Sequence, residues 1–252
     1  VNYAKGMWLN ENTIVPLEKM PLEELEGLLI KDENLPLIAR LKSLKLVPFE
    51  QDRLIKDDQL SYLIHINQIK KLNVVLTQGI SDTSQLKQLR MLPELETLSI
   101  SLGKSSAGVP LDRSGLLALA KVPTLKELGI GLVNVPVLEA ISHCTQVQKL
   151  NLNVDRSQFQ PTDLAYLKEM SSLKDLTVQI ALVSDDLWAT LGKVESLEEI
   201  SFNRGWPPQK EPPPFSMANL NHLQNLPHLK GLDLNGFPVT DEGLGYLGQW
   251  RT

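Results

Sequence analysis

Apolar residues recur along this chain in a phrase with two periods. In Leu223-Gln224-Asn225-Leu226-Pro227-His228-Leu229-Lys230-Gly231-Leu232-Asp233-Leu234 they fall every third position through Leu232, and the last step, to Leu234, shortens to two. A spacing of three or four marks a helix or turn, and a spacing of two marks a strand. The phrase therefore predicts the end of a helix, a turn and a short buried strand.

The same phrase returns along the chain. Its strand portions are anchored at Leu41, Ile69, Leu95, Leu125, Val147, Leu173, Leu197 and Leu229. Every position three after an anchor is Leu or Ile, and five after comes Leu, Val, Ile or Phe. The columns three and six before an anchor and, from the second anchor on, nine before are apolar as well, with Cys144 and Trp188 as their unusual members. A fourth column, fourteen before, adds residues such as Val133, Phe159 and Phe215. One such unit cannot bury its own apolar face, so neighbouring units must stack and share a core. The prediction is a single-core repeat array over 35–252, preceded by an irregular capping segment over 1–34. Within that segment Leu25, Leu28 and Ile30 fit the strand phrase, and Met7-Trp8-Leu9 reads as an earlier strand. Val1 in place of Met reads as a processed or trimmed start. At the other end Val239, Leu244, Leu247 and Trp250 continue the columns, so either the array is cut there or the final helix is its cap; the second is expected, with Trp250 covering the last core layer.

The phrase resembles the leucine-rich repeat family, whose core is LxxLxL. Thr240-Asp241-Glu242-Gly243-Leu244 is similar to the T-D-x-G-L phrase of its helical, ribonuclease-inhibitor-like kind. Lys56-Asp57-Asp58-Gln59-Leu60 and Ser184-Asp185-Asp186-Leu187 are looser versions. The resemblance covers roughly residues 25 to 252. It implies an α/β solenoid: a curved stack with parallel strands on the concave face and helices on the convex one.

Composition narrows the partner class. The chain has 252 residues, 42% of them hydrophobic, with a formal net charge of −5. No apolar run reaches the roughly 18 residues of a membrane-spanning helix. Nucleic-acid surfaces need clustered Lys and Arg, so a mildly acidic chain argues against one. One cysteine rules out an internal disulfide and leaves the compartment open.

Residue types that often carry chemistry have structural readings here. Asp57, Asp185 and Asp241 each stand just ahead of a helix, where a carboxylate is expected to cap free N–H groups. His65 and His143 share a column three repeats apart, too far to hold one metal ion. His222 and His228 read as surface histidines. Cys144 holds a core column and should be inert. No phosphate-binding Gly loop or G-x-S-x-G elbow occurs. The reading is non-enzymatic, with no cofactor and no metal.

Between the core positions, strand residues point outward. In the C-terminal half these are Asn151 and Asn153, Thr177 and Gln179, Ser201 and Asn203, and Asp233 and Asn235, all polar. Spacing varies in the segment after the strand, and the longest insertion is 203–214, with Arg204, Trp206 and a run of prolines. These residues are the candidate binding surface: the concave face plus one rim loop. The expected partner is another protein or peptide, with a glycan or cell-wall polymer as the alternative.

Overall fold

The computed structural model describes residues 10–21, 35–38, 40–41, 46–47, 60, 64, 69–76, 83–102, 113–154, 159–180, 184–203, 216–235, 237, 240–241 and 245. The chain divides into two compact units, Val1–Gly129 and Ile130–Thr252.

In the first unit, β1 (Leu46–Val47), β2 (Lys71–Leu76) and β3 (Thr97–Leu102) pair in parallel, with Leu72 opposite Leu98 and Val74 opposite Ile100. β4 (Glu127–Val133) runs through the division. In the second unit, β5 (Lys149–Val154), β6 (Asp175–Gln179), β7 (Glu199–Asn203) and β8 (Gly231–Asn235) repeat the arrangement. Their register aligns Leu150, Leu176, Ile200 and Leu232 in one row and Leu152, Val178, Phe202 and Leu234 in the next. Helical segments separate the strands. Those described in full include three α-helices (Arg113–Leu119, Val135–Ser142, Asp185–Leu191) and three 3₁₀ helices (Thr83–Met91, Pro161–Glu169, Met217–Leu223). Each unit is thus a stack of strand, return and helix, the α/β leucine-rich repeat solenoid that the phrase predicts.

Backbone hydrogen bonds explain the period of three. In one repeat after another the amides three before the anchor and at the anchor each donate to the carbonyl three residues back. Cys144 N bonds Ile141 O and Val147 N bonds Cys144 O; Met170 N bonds Leu167 O and Leu173 N bonds Met170 O. Three-residue turns eclipse side chains at i and i+3, so a row spaced by three lies on one inner face. The chain then extends, and the period drops to two. At the start of each strand one carbonyl accepts two amides from the next repeat: Lys174 O takes the N–H of Glu198 and of Glu199, and Glu198 O takes those of Lys230 and Gly231.

The core follows the columns. All described anchors through Leu197 are buried, and Leu86, Leu116, Leu138, Leu164, Trp188 and Leu220 form the buried column nine before. Trp188 packs edge-on against Phe202, ring centroids 5.0 Å apart. Cys144 is fully buried, and burial pushes its thiol up to about 12, so the reactive thiolate is scarce near neutrality. β8 departs from the pattern: Leu229, Leu232 and Leu234 are only half-buried. Among the described residues β8 has a strand partner, β7, on one side alone.

At the N-terminal end, the helix Glu11–Glu18 buries Ile14 and Leu17. Asn10 starts it with a capping box: its Oδ1 accepts from Asn12 N and Thr13 N, and Thr13 Oγ1 accepts from Asn10 N at 2.9 Å. Arg40 reaches back to this helix, 2.9 Å from Glu11 and 2.5 Å from Glu18. Met7-Trp8-Leu9, Leu25, Leu28 and Ile30 lie outside the described residues, as do Val239, Leu244, Leu247 and Trp250.

Candidate functional site

The parallel register turns the outward-facing residues of the second unit into three straight rows. Lys149, Asp175, Glu199 and Gly231 form the row at the strand starts. Asn151, Thr177, Ser201 and Asp233 form the middle row, and Asn153, Gln179, Asn203 and Asn235 the last. Successive members are one strand spacing apart, about 4.8 Å. The middle row is half-exposed except for Asp233, which is exposed; in the last row Gln179 is half-exposed and the three asparagines are exposed. Eight of the ten nominated residues therefore share one patch. Arg204 and Trp206, with the rest of the insertion after Asn203, lie outside the described residues.

The chemistry changes along the strand direction. The first row is charged, the middle one carries hydroxyls, an amide and a carboxylate, and the last is entirely carboxamide. Each carboxamide can donate and accept. Gly231 interrupts the first row for a packing reason: a Cβ there would lie 3.3 Å from Glu199 Cγ, so the Glu199 stem occupies the space above it.

A charged ladder borders this face, one residue before the strands. Lys174 Nζ lies 2.8 Å from Glu198 Oε1, and Lys230 Nζ lies 2.6 Å from Glu198 Oε2. Hydrogen bonds from Lys174 first, then Lys230, hold the Glu198 carboxyl down at about 2. Beside the ladder is an open groove of about 500 Å³, lined by serines 171, 172 and 196 with Glu195, Pro227 and His228. The sequence reading missed this ladder. Its signal was the column one after each anchor, where Lys70, Glu96 and Lys126, and again Lys174, Glu198 and Lys230, alternate in sign.

Two readings need correction. Asp185 does not cap its helix; it is the first helical residue, and Ser184 holds the N-cap position without a side-chain cap bond. The carboxylate instead faces the positive end of the helix, and its Oδ1 lies 2.9 Å from His222 Nε2 on the following 3₁₀ helix. Asp241 is likewise inside its helix, and Asp57 lies outside the described residues. The N-cap column is one residue earlier, where Asn134 Oδ1 accepts from Val137 N at 3.2 Å. The second correction is His222: it is exposed but bonded to Asp185, not simply solvated. His143 and His228 are exposed, and His65 lies outside the described residues. Among the described residues no three His, Cys, Asp or Glu side chains converge on a metal-sized site. Nor is any described helix long and apolar enough to cross a membrane.

No protein-family model matches this chain, and no curated protein does. Among solved structures the chain is similar to the crystal structure of an internalin C2 from Listeria monocytogenes str. 4b F2365. The identity is 15% and the TM-score 0.41, over 77% of this chain and 74% of that one. The assignment of the fold rests on the repeat register itself: parallel strands one repeat apart, with the described core columns buried through β7.

Proposed function

We propose that this chain is a non-enzymatic scaffold that binds another protein or peptide. The surface is the exposed sheet face of β5–β8 together with the insertion 203–214. One observation carries the reading: four carboxamides from four consecutive strands, Asn153, Gln179, Asn203 and Asn235, stand in one register row on a polar, exposed face. The solenoid needs nothing from this row, because its core is built by the alternate residues. A row of paired donors and acceptors suits the main chain and polar side chains of a partner. It also suits polysaccharide hydroxyls, which keeps a glycan as the second reading. Arg204 and Trp206 belong to the proposal as rim contacts, Trp and Arg being the side chains most often dominant in protein interfaces. The helical kind of leucine-rich repeat, the cap over 1–34 and the array over 35–252 are part of the same reading, as is the exclusion of nucleic acid.

The test compares two surfaces. Asn153, Gln179, Asn203 and Asn235 are changed together to Ala, and separately Lys168, Glu169, Lys193 and Gln224 on the helical side. Both variants should melt like the parent. Proteins captured by the parent should be lost from the first variant and kept by the second. Equal capture by all three would refute the face, and capture of immobilised polysaccharide alone would favour the glycan.

A further inference from the structure

Asn235 is the one asparagine of the chain that is followed by glycine. It is the last residue of β8, and its side chain is exposed. Phe237 N donates to Leu234 O at 3.0 Å, closing a turn that starts at the end of β8. Phe237 is buried and meets Phe202 edge-on, ring centroids 6.3 Å apart. The far end of the turn is therefore pinned in the core while the Asn235 carboxamide faces water.

This placement has a chemical consequence. The backbone nitrogen after an asparagine can attack the side-chain carbonyl carbon and close a five-membered imide. Glycine places no Cβ in the way of that approach. Asn151, Asn153 and Asn203 are followed by Leu, Val and Arg, whose side chains crowd it. Asn203 also lies in a strand hydrogen-bonded on both sides, between β6 and β8. Asn235 has a partner strand, β7, on one side only among the described residues.

We propose that Asn235 is a site of spontaneous deamidation, with water as the co-reactant. The bond from Gly236 N to Asn235 Cγ forms and the Cγ–NH₂ bond breaks. The amine leaves as ammonia, taking the proton that Gly236 N gives up. Water then opens the imide at either carbonyl, giving aspartate or isoaspartate. One water is consumed, one ammonia is released, and no electrons are transferred. The product puts a carboxylate two residues after Asp233 on the same face, opposite Asn203. Where isoaspartate forms, the main chain gains a methylene between Leu234 and the Phe237 anchor. The inference stands apart from any binding role, since it concerns the chemistry of the residue alone.

The experiment is peptide mass mapping of the purified folded protein after prolonged incubation in mildly alkaline buffer at physiological temperature. A urea-unfolded sample runs in parallel. The peptide holding Asn235 should gain about 1 Da, as replacing an amide by an acid requires, while those holding Asn151, Asn153 and Asn203 do not. Anion exchange should show a growing, later-eluting peak from the added negative charge, and Asn235→Gln should remove that peak. An Asn235 peptide that keeps its mass in the folded protein, whatever happens in urea, overturns the proposal. So does a gain spread evenly over the asparagines.

Discussion

Each unit carries a Lys-Glu-Lys ladder in the same column, and the two ladders differ in geometry. In the first unit Glu96 stands 3.8 Å from both Lys70 and Lys126, with 41% of its side chain exposed. In the second, Glu198 is 2.8 Å from Lys174 and 2.6 Å from Lys230, with 23% exposed. One pattern of signs has produced a loose ladder and a hydrogen-bonded one. Charge-assisted hydrogen bonds need donor and acceptor within about 2.9 Å, and only the second ladder meets that distance. The outward rows diverge as well. Where the second unit has a row of four carboxamides, the first has the exposed Ser101 in the corresponding column. Core columns repeat because stacking demands it; outward columns are free to differ, and there the units become distinct surfaces.

The largest effects should be the same in both units. Leu98→Ala and Leu150→Ala each remove a fully buried side chain from the row three after an anchor. Each should cost about 2–5 kcal/mol, as cavities left by large core side chains do, read by urea unfolding. A marked asymmetry would mean that one unit's core is not packed like the other's.

A smaller loss, about 1–3 kcal/mol from overpacking, is expected for Gly192→Ala. Gly192 has φ −60°, which any residue adopts, so backbone freedom is not why glycine stands there. A Cβ would fall 2.3 Å from the His222 carbonyl oxygen, and the next repeat would have to move. Retention of parental stability would show that the contact between these repeats yields easily.

The ladders are separated by Glu198→Gln and Glu96→Gln, where losses should be slighter and larger for Glu198. The pH dependence has a defined sign. The folded-state Glu198 carboxyl sits at about 2, below its ordinary value, so between the two values the unfolded chain binds the extra proton. The stability it adds is fully present above the ordinary carboxylate range and disappears as pH falls through about 2. The difference between parent and Glu198→Gln should shrink over that acid window in denaturation titrations. A difference independent of pH would remove the ladder as its cause.

The smallest effects belong to the outward rows. Ser101→Ala and Asn153→Ala, both exposed, should each change stability by less than about 0.5 kcal/mol. A larger loss at Asn153 alone would mean that the carboxamide row supports the fold as well as facing outward.

Period alone, read from the chain, determined the repeat, the strand register and the inward columns, because stacking tolerates only apolar residues at Leu150 or Leu176. It also placed Cys144 in the core and brought eight of the ten candidate residues onto one face. Tertiary structure decided the rest. The one-residue shift of the helix starts arose because both Ser184 and Asp185 are residue types that suit a helix N-terminus, and only the backbone path selects between them. The partner of His222 is Asp185, 37 positions away, and the two meet only when the helices stack. The alternating charges before the strands were visible as letters, but whether they lie 3.8 Å or 2.6 Å apart depends on how far each repeat is rotated and buried against the next. Local preference can place a residue on a face, while distances between repeats follow from packing over the whole stack.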